Sequence, residues 1–335
     1  MILNKVASPH YATPTLRRAR LLDWLNEAAG CRAAVLAADA GYGKTTLLWQ
    51  WEREVDFPCY WYKLDRTDRD WTFHISYLIE SISKRHKGFG RRAHSMLQQL
   101  GGPGSSRPGV AAYLLAEMHE RLTEPCTFII DDWQYVNAVT EVRGLWNQIL
   151  RDAPPTCRFV FASRVKPRLQ FARFKTHSGY AELKTDALRF TEPEIDELFR
   201  DIYNDPLEPT DVAELERRTE GWAASLQLVE VSLRERPTLE ARREFIQSIT
   251  ATTDSDLFDF LAEGFSISSR RRRGISCSPP RFSSRSRRRS PSASPASTTV
   301  AASSSSSSTP GSSRIAWTSS ATAITTSSAS SWRDG

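Results

Sequence analysis

The stretch AVLAADAGYGKTTLLWQW, Ala34 to Trp51, decides the reading of this chain. An apolar run with the composition of a buried strand ends in a loop with two glycines, and the loop passes directly into a segment with helical spacing. Gly41 and Gly43 let backbone N–H groups turn inward as a concave anion nest, and the helix that follows adds the positive end of its dipole. The loop Asp39, Ala40, Gly41, Tyr42, Gly43, Lys44, Thr45 and Thr46 is therefore expected to cradle phosphate oxygens. In that reading Lys44 reaches the β- and γ-phosphates, and Thr45 places its hydroxyl on Mg²⁺, an ion that takes oxygen ligands. Two residues depart from the strict pattern G-x-x-x-x-G-K-[ST]. Ala38 stands at the first glycine position, and Asp39 puts a carboxylate close to the triphosphate charge, which weakens binding unless the side chain points away.

The other half of such a site is an acid at the end of a buried strand. CTFIIDDW supplies Asp131 and Asp132 about ninety residues further on. Asp131 is expected to hold Mg²⁺ through water, and Asp132 to orient or deprotonate an attacking water in phosphoryl transfer. RFVFAS ends in Ser163 and Arg164, and an arginine there can approach a γ-phosphate; a solvated arginine at a strand end is the competing reading.

Outward from these motifs, short apolar runs alternate with helical spacing, which predicts an α/β parallel sheet with flanking helices. The expected strands are 32–38, 59–64, 126–131, 158–163 and 180–184, with helices after each of the first four. Residues 87–109, rich in Gly, Pro, Ser and Arg, read as an excursion on the rim of the sheet. From Thr191 the pattern becomes helix after helix. Thr191 and Glu194 have the spacing of a capping box, and further helices are expected over 211–219 and 223–234, with another starting within 245–261. The domains so drawn are an NTPase-type sheet over 1–190, a helical or winged-helix-like lid over 191–263 and a disordered tail over 264–335.

Charge separates the tail from the rest. Residues 1–263 hold 34 Lys and Arg against 38 Asp and Glu, whereas residues 264–335 hold 11 Arg and a single acid, Asp334. The overall charge of +6 thus belongs to the tail and says nothing of a nucleic-acid surface on the globular part. With 26 serines and no leucine, the tail has no apolar face to pack. Five scattered cysteines suit reduced thiols, and no Cys/His cluster suggests a metal. With no signal-peptide pattern and no apolar run of spanning length, a cytoplasmic protein is expected, without a membrane partner. The six histidines read as surface or packing residues, Trp49, Trp51, Tyr60, Trp61 and Tyr62 as sheet-to-helix packing, and Asp65, Asp68 and Asp70 as a solvated loop.

Beyond the phosphate loop, the ordered set LRRARLLDWL, WYKLDRTDRDWTFHISYLIESI, FIIDDWQYV, FASRVKPRLQFARF, ALRFTEPEIDELF and TEGWAASLQLV resembles the nucleotide-binding region of the large ATP-binding LuxR-type transcriptional regulators. These form the MalT-like branch of the STAND class of signalling NTPases. The resemblance runs from Asn4 to Glu263. It implies that ATP binding at Gly41, Gly43, Lys44, Thr45 and Asp131 serves a regulatory switch, with Arg164 near the γ-phosphate, turnover slow at most, and self-association through the NTPase domain. Asp39 stands where the family usually has proline.

The family continues into a helical-repeat sensor and a helix-turn-helix that are not seen in this sequence, so no specific DNA binding is expected. Spelled with permissible codons, 275–286 and 324–335 yield DFLLATSVLESL and YHHLFRELLARR in the other frame. Both resemble family stretches in the right order. The tail is therefore expected to be the product of a one-base frameshift near Gly264. Two other readings stand beside this one: an autonomous P-loop ATPase, and an RNA-binding protein whose SSRSRRRSPSASP segment acts as an RS-like tail.

Overall fold

Alternate residues of each strand go to opposite faces, and the sheet is buried on both. The computed structural model describes residues 3–11, 13–99, 107–175 and 179–249. The strands are β1 (Ala33–Ala37), β2 (Cys59–Lys63), β3 (Cys126–Asp131), β4 (Cys157–Ser163) and β5 (Tyr180–Lys184), all parallel, in the order β2-β3-β4-β1-β5. This is the expected parallel sheet with flanking helices, and all five strand positions agree with the sequence reading to within a residue.

The helices are α1 (Ala19–Ala28), α2 (Lys44–Glu54), α3 (Trp71–Ser83), α4 (Arg91–Gln98), α5 (Arg107–Arg121), α6 (Thr140–Asp152), α7 (Ala172–Lys175), α8 (Thr185–Leu188), α9 (Glu192–Glu197), α10 (Pro209–Thr219), α11 (Ala223–Arg234) and α12 (Leu239–Ser248). On one face Val35, Phe128, Ile130, Phe159 and Phe161 pack with Ile75 and Leu78 of α3, Leu114 of α5 and Trp146 of α6. The other face, Ala34, Leu36, Ile129, Val160 and Ala162, packs with Leu22 of α1, Leu48 and Trp51 of α2, and Leu226 and Val229 of α11. The helices after β5 thus share one core with the sheet.

Four expectations need correction. The helix expected after β4 is only the four-residue α7. Residues 87–99 are more than a rim excursion, because Phe89 is buried and α4, which buries Ala93, forms there before α5. The acids after β2 form a solvated loop only in part: Asp70 is exposed and caps α3 through the Thr72 amide (2.9 Å), but Asp68 is wholly buried. The helix anticipated from Phe245 begins earlier, at Leu239, and residues 250–263 and the whole tail, 264–335, lie outside the described residues.

The capping box at the head of α9 forms as expected, with the Thr191 amide donating to Glu194 Oε2 at 3.1 Å. Glu194 does more than cap. Arg18 (2.9 Å) and Arg20 (3.0 Å), flanking the start of α1, clamp its carboxylate, and Arg18 also donates to the carbonyls of Leu188 and Arg189. Burial alone would raise the Glu194 pKa, but these two guanidiniums hold it below the usual value. This pins the segment after β5 to the first helix.

Candidate functional site

In a parallel sheet every strand ends on the same edge, where the loops after β1, β3 and β4 meet. Because β4 lies between β1 and β3, the carboxyl ends of β1 and β3 are roughly 10 Å apart. The first turn of α2 crosses that gap. Thr45 Oγ1 donates to Asp131 Oδ2 at 2.7 Å, joining the glycine loop to the acidic strand end.

Gly41 (φ 80°) and Gly43 (φ 75°) both adopt the left-handed conformation that glycine takes without strain. A Cβ on Gly43 would meet nothing within 4 Å, so its backbone conformation alone selects glycine. At Gly41 there is a second reason: a Cβ would stand 2.7 Å from both Ala224 Cβ and Trp222 Nε1. Lys44 Nζ donates to the carbonyls of Ala38 and Asp39, each at 2.6 Å, which brings the ammonium back over its own loop. Burial lowers its pKa, against the opposing pull of Asp131 and Asp132. Asp131 is 1% exposed, and burial followed by the charge of Asp132 raises its pKa, partly countered by the Thr45 hydroxyl.

Asp132 takes φ 61°, a left-handed turn that aims its carboxylate off the strand axis. Gln134 Nε2 donates to Asp132 Oδ1 at 2.8 Å, while Gln134 Oε1 accepts the Arg164 amide at 3.0 Å. One amide side chain therefore ties the end of β3 to the end of β4. Lys63, at the end of β2, adds a longer ion pair to Asp132 at 3.9 Å.

A cleft of about 280 Å³ is lined by Ala40, Gly41, Gly43, Lys44, Thr45, Thr46, Asp132 and Arg164, with Tyr11 at its rim. It adjoins a larger cavity of about 490 Å³ that shares Tyr11, Gly43 and Thr46 and extends over Gln50, Tyr203, Gln227 and Glu230. The structure thus gathers the sequence-predicted residues into one place, with two qualifications of side-chain role. The Tyr42 ring is buried against Trp222, ring centroids 6.3 Å apart, so only its backbone can serve the loop. Asp39 is exposed and lines neither cavity, and its carbonyl is what engages Lys44.

Sequence reasoning did not single out Tyr11, Gln50, Gln134 or Trp222 for the site. Gln134 sits two residues beyond Asp132 and could have been found from that spacing. Gln50 follows Thr46 by one helical turn on α2, whereas Tyr11 and Trp222 reach the site from distant segments and left no local signal. Among the described residues no group of three or more His, Cys, Asp or Glu could hold a metal, and no helix is long and apolar enough to cross a membrane.

No family model matches the chain. Over 265 residues, 78% of its length, it is 29% identical to the HTH-type transcriptional regulator MalT of Yersinia enterocolitica, of which it spans 28%. Over those residues the chain is similar to MalT, and it spans less than a third of that relative's length. Solved structures similar to it include a signal transduction ATPase with numerous domains and a tetratricopeptide repeat sensor from Pyrococcus horikoshii, at 16% identity and a TM-score of 0.46, covering 76% of this chain and 33% of that one. The Walker-type ATPase of Pyrococcus abyssi is similar at 16% identity and a TM-score of 0.46, covering 77% of each chain. The cleft between the glycine loop and Asp131 is the candidate nucleotide site.

Proposed function

We propose that this region binds Mg·ATP as the switch of a transcriptional regulator, with residues 1–190 as the NTPase domain and 191–263 as its lid. The observation that carries the reading is the Thr45 to Asp131 hydrogen bond beneath the glycine nest. It holds a hydroxyl and a buried carboxylate as hard oxygen donors beside the positive start of α2, the donor set that suits Mg²⁺ on phosphates. Glycine-loop amides and Lys44 bind the phosphate oxygens, and Lys44 leaves the carbonyls of Ala38 and Asp39 to do so. The adjoining cavity, with the Tyr11 ring and the polar ends of Gln50 and Gln227, takes the nucleoside.

Bound Mg·ATP would supply a phosphoanhydride open to attack by water. Asp132, steered by Gln134, accepts a proton from that water at Oδ2, and Arg164 faces the terminal phosphate. Turnover is slow, because the Asp132 carboxylate is already engaged by Gln134 and Lys63. ATP acts as a switch only if it binds one arrangement of sheet and lid better than another, and self-association follows from the favoured arrangement.

Calorimetry on the full chain tests this reading. Saturable Mg·ATP binding is expected in the wild type, weakened roughly ten- to a hundredfold in Lys44→Ala and made insensitive to Mg²⁺ in Thr45→Ala. Equal binding by wild type and Lys44→Ala would sink it.

A further inference from the structure

The glycine loop is held from behind by the start of α11. Trp222 Nε1 donates to the carbonyl of Ala40 at 3.0 Å, and the Ala224 amide donates to the carbonyl of Gly41 at 3.1 Å. In a planar trans peptide, the C=O of one residue and the N–H of the next point in opposite directions. Fixing the carbonyls of Ala40 and Gly41 toward α11 therefore turns the amides of Gly41 and Tyr42 away from it, to the concave side of the loop. We propose that Trp222 is a positioning residue for phosphate binding: its indole N–H sets the direction of the Ala40–Gly41 peptide and so preforms the anion nest.

Three features support this. Glycine at position 41 leaves the peptide free to rotate, so the loop needs an external restraint to keep its amides aligned. The restraint is itself well anchored. Trp222 is 6% exposed, and Gly221 before it (φ 64°) lies so close to Phe190 that a Cβ would come within 2.2 Å of the Phe190 carbonyl oxygen. The Phe190 amide donates to the Gly221 carbonyl at 2.8 Å, and the Arg18 guanidinium covers the Phe190 ring at 3.9 Å. The fit is also close, since any side chain at Gly41 would push Trp222 and Ala224 off the loop. Any motion that lifts α11 thus releases two loop carbonyls at once. The position of the lid and the affinity for phosphate are then one equilibrium, in which each favours the other by the same factor.

This inference rests on the nucleotide reading above, and the test separates the two. Full-length Trp222→Phe keeps the ring and removes only the N–H. Its affinity for Mg·ADP and for inorganic pyrophosphate is expected to fall about two- to tenfold, the worth of one hydrogen bond, while adenosine binding is unchanged. In the wild type, Mg·ADP or pyrophosphate should slow hydrogen exchange at the Ala224 amide, and adenosine should not. That arm needs no variant and stands even if Trp222→Phe fails to fold. Unchanged pyrophosphate affinity in a folded Trp222→Phe, or exchange at Ala224 indifferent to phosphate, would overturn the role of Trp222 and leave the nucleotide reading intact. No binding of Mg·ADP by the wild type would overturn both.

Discussion

The ends of β2 and β3 lie side by side and carry the same kinds of residue, yet they use them in opposite ways. Beyond β2 the polar groups close on one another. Lys5 Nζ meets Asp68 Oδ2 at 2.6 Å and Asp65 at 2.9 Å, and the Tyr62 hydroxyl donates to Asp68 Oδ1 at 3.0 Å. His74 Nε2 bonds the Asp68 carbonyl at 2.8 Å, and its Nδ1 accepts the Trp146 indole at 3.0 Å. At the end of β3, by contrast, Asp132 lines a cleft together with Lys44 and Thr45 of α2. A buried Lys and Asp are structural where their bonds are completed by the protein, and point to a ligand where one direction stays open.

The sharpest way to break this contrast is to open the closed cluster. Asp68→Ala leaves the Lys5 ammonium buried without its closest partner and the Tyr62 hydroxyl without an acceptor. We expect a loss of about 3–5 kcal/mol in urea unfolding, the usual cost of orphaning one member of a buried pair. A loss under 1 kcal/mol would mean that water enters the cluster.

Acid attacks the same cluster through His74. Burial drives its pKa from 6.5 down to about 4, against the Asp68 carbonyl and carboxylate, which favour the charged ring. Its contribution to stability is complete above pH 6.5 and is lost as pH falls toward 4, because the unfolded chain takes up the proton first. The loss amounts to about 3 kcal/mol. Urea midpoints measured across this range should fall with acid in the wild type and much less steeply in His74→Gln.

At the open site the effects move from stability to binding. Lys44→Ala should weaken Mg·ATP binding by roughly ten- to a hundredfold, the range for a charge-assisted hydrogen bond, with the unfolding midpoint nearly unchanged. A large drop in stability instead would class Lys44 with the closed cluster. The smallest effect is expected at Asp39, whose exposed carboxylate is screened by solvent: Asp39→Asn should change Mg·ATP affinity by less than about threefold. A larger gain would show that the carboxylate turns toward the phosphates after all.

Much of this was legible before folding was considered. The phosphate loop is local, its residues adjoin in the chain, and strand, glycines, lysine and threonine each declare their chemistry. The same holds for the capping box at Thr191 and for Asp131, which ends a run of apolar residues. Asp68 was misread because it sits among arginines and other acids in a polar stretch, and nothing local shows that Lys5, more than sixty residues away, will be buried against it. Tyr11, Gln50 and Trp222 were not legible as site residues for a related reason. Aromatic and amide side chains serve packing and binding equally well, and only their neighbours tell which.

By itself, the sequence determined the parallel sheet, the order of its elements and the chemistry of the loop at Gly41 to Thr45, since these follow from periodicity and from residues adjacent in the chain. Tertiary structure alone decided which polar groups would be closed off and which left facing a cleft, and it brought Trp222 against the carbonyl of a residue 182 positions earlier. Partnership across such separations depends on how helices dock on a sheet, and the short-range spacing of residues carries no record of that docking.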